Sequence, residues 1–557
     1  RQPAESDQDQ PDDELGELRL DVLRAQAMAL MGLERFADAS AVLKTLLSGQ
    51  PDRDTVVWAK AELAVCLARG GQLDRAKAVY AELAKQSQEA EIVPAATLAL
   101  AEAAVAENDF AWSAELFGKL AGRSSPYTAR GLSGLGWSQY KLKQLPEAAA
   151  TYERLLKDFG SDPLAAEAAQ TCGQIWEQLE KPERALAMYQ RVIVQHASSN
   201  QVPQALLSAA RLHERLGQLE PAAELYQRLL QEFPELPERE AAIYESAWVL
   251  RGLDRNDEAD ALFERLRQAK PRGRLWADAV YRLAERAYKS GDYDRAEKLL
   301  DELLAGEPSP NIVPHALYLQ AQIAAGREAW SAVSAPLKRL LTEFPDSELA
   351  PLAGFWLAEA AYRQADYKAA GERLRQLAEE MRGRQANWLP MIPLRQAQIL
   401  AQKKEWHDAL EIASQIETDY PDFDQQYEVD YLMGRCQAAL GNFDDARSDY
   451  RRVTRSEAGA KTETAAKAQW MIGETYFHQE DYESALQEYL RVEILYDFPT
   501  WQAAALLQAG KCHERLGEWQ PAVELYARLL KDYSQTEFAK DASERLKTAQ
   551  SRAAAKK

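Results

Sequence analysis

The chain has 557 residues, 28% of them charged, and carries a formal net charge of −20. One hydrophobic core rarely serves so long a chain, so the sequence encodes either several domains or an elongated repeat array. No stretch approaches the roughly 18 uninterrupted apolar residues of a membrane-spanning helix, and the acidic balance opposes nucleic acid and anionic lipid, whose capture rests on Lys and Arg.

In chain order, Arg1 to Glu14 are rich in Gln, Asp and Pro and nearly devoid of apolar side chains. They cannot bury enough surface to offset their ordering entropy, which predicts a disordered acidic tail over 1–18. The start at Arg1, without Met, is compatible with a mature exported protein or with a trimmed boundary.

A small residue then recurs: Ala39, Ala76, Ser113, Ala148, Ala185, Ala222, Ala259, Ala296, Val333, Ala370, Ala409, Ala446, Ala485 and Ala522. Ten of the thirteen intervals are 37 residues, one is 35 and two are 39. Four places after each marker stands a larger residue, from Leu43, Tyr80 and Phe117 to Tyr489 and Tyr526, with Ala413 the exception. A small side chain lets a neighbouring helix approach, and the large one a turn later fills the space beside it. Each period therefore predicts a helix hairpin. In one unit a first helix spans about His315 to Ala325, a break falls near Gly326, and a second helix spans about Trp330 to Thr342, closed by Pro345. Turn residues recur at the matching place in Gly217-Gln218, Gly291-Asp292, Gly441-Asn442 and Gly517-Glu518.

The longer intervals contain Glu379 to Pro390 and Ser456 to Lys461, and Gly306 to Asn311 is the most loop-like stretch inside a regular interval. Such insertions loosen contact between neighbouring hairpins, and the first expectation for a bend is 383–390. At the far end Phe538, Ala542 and Leu546 share a helical face ahead of Arg552, Lys556 and Lys557, as in a helix that caps the last hairpin.

Two units carry a family resemblance most clearly: Gln469-x2-Ile472-Gly473-x2-Tyr476 followed by Ala485-x3-Tyr489, and Leu132-x2-Leu135-Gly136 with Ala148-x3-Tyr152. The chain resembles the tetratricopeptide repeat family over roughly residues 20 to 534. The resemblance implies an all-α, right-handed superhelical solenoid of about fourteen hairpins with a C-terminal capping helix. The corresponding division is a tail (1–18), repeats one to ten (19–382), repeats eleven to fourteen (383–534), and the capping helix with its basic tail (535–557). The extra residues after the second helix, as in Phe344 to Ala350, are similar to the longer repeats of bacterial envelope proteins of the outer-membrane assembly lipoprotein and Tol-Pal coordinator type. That similarity implies a periplasmic or cell-envelope location, with the cytoplasm as the alternative.

Catalytic signatures are missing: no phosphate loop, dinucleotide fingerprint, H-E-x-x-H or G-x-S-x-G occurs. Cys66, Cys172, Cys436 and Cys512 stand apart in apolar helical stretches and read as buried thiols, without disulfide or zinc spacing. The six histidines fall in different hairpins, so no metal site is expected. The sequence therefore reads as a non-enzyme without cofactor.

What remains is recognition of other proteins. In the family the first helix of each hairpin lines the concave groove, and the resemblance carries that role onto Tyr244, Trp248, Tyr281, Tyr288, Tyr318, Phe355 and Tyr362. Arg251, Asp278, Glu285 and Glu359 flank these rings. Secondary candidates are Trp137, Tyr140, Tyr431, Trp470 and Phe477, with Trp58 near the start. Aromatic side chains suit this use because they bring large contact area with few rotatable bonds. The competing reading is that the rings only complete the packing between first helices. The family's chaperone-binding carboxylate clamps use groove Lys and Asn, whereas Asn108, Asn256 and Asn442 lie at turns, which argues against a clamp here.

The expected partners are one or more proteins, with neither nucleic acid nor direct membrane insertion. The alternatives are an assembly subunit that uses its ends and convex face, and an envelope module that binds polysaccharide.

Overall fold

Five residues before every marker the backbone turns left-handed. Glu34, Asn108, Lys143, Glu180, Asp254, Glu328, Ala365, Lys404 and Glu480 do so at φ between 55° and 66°, and Gly71, Gly217, Gly291, Gly441 and Gly517 between 71° and 83°. A left-handed residue ends the first helix of a hairpin and reverses the chain into the second. In four of the turns an aspartate then caps the second helix: Asp109, Asp292, Asp366 and Asp481 each accept a hydrogen bond from the backbone N–H three residues on.

The computed structural model describes residues 10–86, 92–122 and 124–555. Among them there are 29 α-helices and no strand. The helices pair into fourteen hairpins, from Gln10–Gly32 with Phe36–Ser48 to Pro499–Arg515 with Trp519–Asp532, followed by the final helix Ala539–Ala555. The hairpin predicted over 315–342 consists of Val313–Gly326 and Trp330–Glu343, with the reversal at Glu328. The chain divides into two compact units, Arg1–Ala279 and Val280–Lys557, each a stack of such hairpins.

The core of both units is the sequence period itself. Every marker from Ala39 to Ala522 is fully buried. The large residue four places on is buried in each hairpin too, with Tyr189, Tyr226, Phe263, Tyr450, Tyr489 and Tyr526 the bulkiest. Room for these rings comes from the facing first helix. A Cβ added at Gly510 would lie 2.3 Å from the Tyr526 ring, and one at Gly473 2.6 Å from the Tyr489 ring. At the same offset alanine stands opposite Leu300, Leu337 and Leu374, as Ala284, Ala321 and Ala358, and also opposite two of the rings, as Ala210 for Tyr226 and Ala247 for Phe263.

The two ends differ from each other. The first helix begins at Gln10, so the expected disorder of 1–18 fails from residue 10 onward, and residues 1–9 lie outside the described residues. Composition misleads there because the stretch is long enough to join the helix that follows, and Pro11 sits in a first turn, where a missing N–H costs nothing. The last helix behaves as a cap: Ala542 and Ala549 are fully buried, and Phe538 and Leu546 pack against the cluster around Tyr526 and Leu529. Lys556 and Lys557 lie outside the described residues.

Two of the expected seams are loose. Tyr293–Ala305 meets Val313–Gly326, and Tyr367–Glu380 meets Met391–Gln402, over fewer residues than the later consecutive helices of the second unit meet. The loop at 456–461 causes no such loosening between Phe443–Arg455 and Glu463–His478. All four cysteines are free and buried, and burial pushes their thiols up, to about 11 for Cys66 and Cys436 and about 12 for Cys172 and Cys512.

Candidate functional site

Groove candidates recur at fixed offsets from the marker: fifteen places before it stand Tyr244, Tyr281, Tyr318, Phe355, Tyr431 and Trp470, and eleven before it Trp137 and Trp248. Helical spacing puts both positions on one face of the first helix.

In the first unit, Tyr244 and Trp248 lie on Arg239–Gly252 and stand edge-on to the buried ring of Phe263, at centroid distances of 5.8 and 6.4 Å. The Arg251 guanidinium covers the Phe263 ring at 4.8 Å and Trp248 at 5.6 Å, and pairs with Asp260 at 3.5 Å. Tyr244 is half-buried by this cluster, while Trp248 stays 37% exposed. Asp278 is half-buried near the start of Trp276–Lys289.

In the second unit, Tyr281 meets His315 of the next first helix edge-on at 6.1 Å, with Arg282 over its ring at 5.3 Å. Glu285 accepts from Arg282 (3.1 Å) and Lys289 (2.9 Å). Tyr288 rests on Tyr293 at 5.7 Å. Burial raises the phenols of Tyr281 and Tyr288, and pushes that of Tyr318 up to about 12.

Phe355 and Glu359 differ from the expectation of groove-facing residues. Phe355 is 6% exposed and packs on Trp388 at 5.9 Å, and Glu359 is 4% exposed between Arg363 (2.7 Å) and Arg395 (2.6 Å). The cause is the long loop before Met391–Gln402, which brings Trp388 and Arg395 back over the preceding first helix. Arg395 also covers Tyr362, 4.5 Å from the ring centroid.

The secondary candidates split in the same way. Tyr431 lies on Tyr450 (5.9 Å), Trp470 on Tyr489 (6.2 Å) and Trp501 (5.8 Å), and Phe477 on Tyr482 (5.2 Å). Trp58 is half-buried beneath Arg24 at 4.7 Å. Trp137, by contrast, is 37% exposed, tilted against Tyr140 at 5.8 Å. Among the described residues Trp137 and Trp248 are the most exposed Phe, Tyr or Trp side chains, and both hold the same position of the repeat.

A set of polar links escaped the sequence reading. Tyr226 Oη lies 3.0 Å from a Glu245 carboxylate oxygen and 3.3 Å from one of Glu214, and Arg211 clamps Glu245 through two N–H donors at 2.8 Å. Tyr526 Oη donates to Glu514 (2.9 Å), which Arg545 also reaches (2.9 Å). Tyr189 donates to Glu177, which pairs with Arg215. A signal was present: in each case a glutamate stands twelve residues before the core tyrosine. These links tie one hairpin to the next and satisfy phenols whose rings are buried. Burial, reinforced by the neighbouring carboxylates, raises all three phenols well above their ordinary value.

A second polar cluster joins three helices of the second unit. Arg452 reaches Asp430 (2.8 Å), Asp449 (3.3 Å) and Glu417 (3.4 Å), so three carboxylates share one guanidinium. Burial pushes the carboxyls of Asp430 and Asp449 up to about 6. No group of three or more His, Cys, Asp or Glu placed to hold a metal ion occurs among the described residues. No helix among them is long and apolar enough to cross a membrane.

Known families match most of the chain. The tetratricopeptide repeat description matches residues 24–91, 98–166 and 174–237, a second description of that repeat matches 504–536, and a tetratricopeptide repeat-like domain matches 313–471. The chain is a tetratricopeptide-repeat protein. Three solved structures are similar to this tetratricopeptide array. The APC/C hetero-tetramer Cut9-Hcn1 is 14% identical with a TM-score of 0.36, covering 95% of this chain and 96% of that one. Naa15/Naa10 bound to HypK-THB is 13% identical with a TM-score of 0.38, covering 96% and 92%. A tetratricopeptide repeat protein from Parabacteroides merdae is 16% identical with a TM-score of 0.29, covering 47% and 96%. None of the curated proteins matches the array.

Proposed function

We propose that this tetratricopeptide array is a non-catalytic scaffold that binds a segment of a partner protein along the face formed by its first helices. The observation that carries this reading is the pair Trp137 and Trp248: each is 37% exposed, more than any other Phe, Tyr or Trp side chain among the described residues, and both hold one repeat position. An open tryptophan on a rigid helix is the side chain best suited to anchor a partner, because its large surface is desolvated at little entropic cost. The half-open rings Tyr281 and Tyr288, flanked by Glu285, extend the same kind of surface in the second unit.

The test is a quantitative cross-linking pull-down from native lysate with the wild type and Trp137→Ala/Trp248→Ala, helicity being checked by circular dichroism. The reading expects at least one captured protein to vanish while the fold holds. Retention of every captured protein by the double variant sinks it.

A second reading, an assembly subunit joined through its N-terminal end, draws on one feature. Leu18 and Val22 share a face of the first helix, Leu33 follows its last residue, and the three are 60–69% exposed. Substitution of those three residues by aspartate separates the two readings, since only the assembly reading expects it to abolish capture.

A further inference from the structure

Hairpin four leaves a recess on the first-helix face. In six of the fourteen hairpins, from Tyr244 onward, a ring stands fifteen places before the marker, and it covers the core in cases such as Tyr244 on Phe263 and Tyr431 on Tyr450; in hairpin four the residue there is the small Ser133. No ring covers the core there. Next to it Gly134 removes a second side chain, since a Cβ at that point would lie 2.4 Å from the Phe117 ring. The result is a recess of about 320 Å³ between the first helices Ile92–Ala106, Thr128–Lys141 and Ala165–Gln178.

The lining is chemically two-sided. Phe117 and Tyr152, both nearly fully buried, line the bottom, and the more exposed Trp137 forms a wall. The rim carries Glu102 and Glu167, both exposed, from the helices on either side. Neither glutamate makes an ion pair among the described residues. The Tyr152 hydroxyl also lacks a hydrogen-bond partner among the described residues, although Tyr189, Tyr226 and Tyr526 each reach a glutamate. Nearby rings already attract the chain's own ammonium groups, Lys141 over Trp137 at 4.5 Å and Lys143 over Tyr140 at 5.9 Å.

An aromatic floor with carboxylates at the rim matches one kind of side chain: an apolar stem that ends in a cation. The stem lies against the rings, and the head meets the two carboxylates, the Trp137 ring being already covered by Lys141. The volume falls at the low end of the range for ligand sites, enough for one long side chain. We propose that this recess is the specificity pocket of the array and takes an arginine or lysine side chain from a basic segment of its protein partner. The inference rests on the scaffold reading above and adds to it the place and the charge of the recognised residue.

The test uses a displayed library of short random peptides selected on the full chain. The selected pool is then measured against three proteins: wild type, Ser133→Tyr, and Glu102→Gln/Glu167→Gln. Ser133→Tyr fills the recess with the ring that Tyr431 supplies over Tyr450, so the fold has a precedent for it, and the two glutamates are exposed, so their replacement leaves packing intact. The expected result is a pool with a fixed Arg or Lys, weakened by about tenfold or more in each variant, and by a similar factor when that residue is changed to citrulline or norleucine. A pool without a basic residue, or one bound equally by Ser133→Tyr, overturns the proposal. If such a pool is instead lost on Trp248→Ala, the scaffold reading survives without the pocket. If no peptide is selected at all, both readings fall.

Discussion

Ala365 adopts φ +62° at the reversal between Ala350–Arg363 and Tyr367–Glu380, where Gly291 of an equivalent turn adopts φ +79°. An L-residue in this region pays about 1–2 kcal/mol in contact between its Cβ and the backbone, and glycine gives back about 0.5–1 kcal/mol because its unfolded chain is freer. The difference favours glycine, so Ala365→Gly is expected to stabilise its hairpin by about 0.5–1 kcal/mol. The converse, Gly291→Ala, costs a similar amount, and nothing adds to it, because a Cβ at Gly291 meets no atom within 4 Å. Hairpins in a stack unfold with their neighbours rather than all at once, so the readout has to be local. Amide hydrogen exchange in the two helices flanking residue 365 slows by about two- to fivefold in Ala365→Gly, and exchange around residue 291 quickens by a like factor in Gly291→Ala. Faster exchange in Ala365→Gly, with the spectrum otherwise native, refutes the claim that backbone strain is distributed over these turns.

Other expectations follow from the packing and the charges. The Asp430 and Asp449 carboxyls titrate near 6 in the folded chain, above their unfolded value of 3.8. Their ionisation is therefore a cost present above pH 6 and relieved as pH falls towards 4. Asp449→Asn should raise the urea resistance of hairpins eleven and twelve at pH 7.5 and flatten the gain that the wild type shows on going to pH 5; an unchanged pH slope removes the burial argument. Gly510→Ala drives a methyl into the fully buried Tyr526 ring and should cost about 1–3 kcal/mol in chemical denaturation, with partial recovery on adding Tyr526→Leu, which recreates the Ala284 and Leu300 pairing. With thiols pushed to 11 or 12 and buried, none of the four cysteines should react with a disulfide reagent at pH 8 until the chain is unfolded; prompt modification of Cys66 contradicts its placement.

Much of the architecture could be read before any coordinate, because the markers and the large residues four places on are the buried set itself. The turns were legible only where glycine occupies them. Glu34, Lys143 and Lys404 take the same left-handed conformation, yet nothing in a charged side chain announces it. The candidate surface was read less well, for a reason that lies outside the period. Phe355 and Glu359 sit at the right offsets, but their exposure is decided by Trp388 and Arg395, contributed by an irregular loop and the helix after it. Periodicity cannot foresee a contact made from outside the repeat. Likewise, nothing in the sequence marks Ser133, because seven other hairpins also lack a ring fifteen places before the marker, and only the recess beside it gives the position a meaning.

The uniform reversal at five residues before every marker fixes the inside of each hairpin, whereas the intervals of 35, 37 and 39 residues differ only in the connections between hairpins. A chain built this way has a grain. It can be cut and rejoined across its seams, at 124–127 or 381–390, without changing any residue's place within a hairpin, so whole hairpins are the natural unit in which such an array gains or loses length.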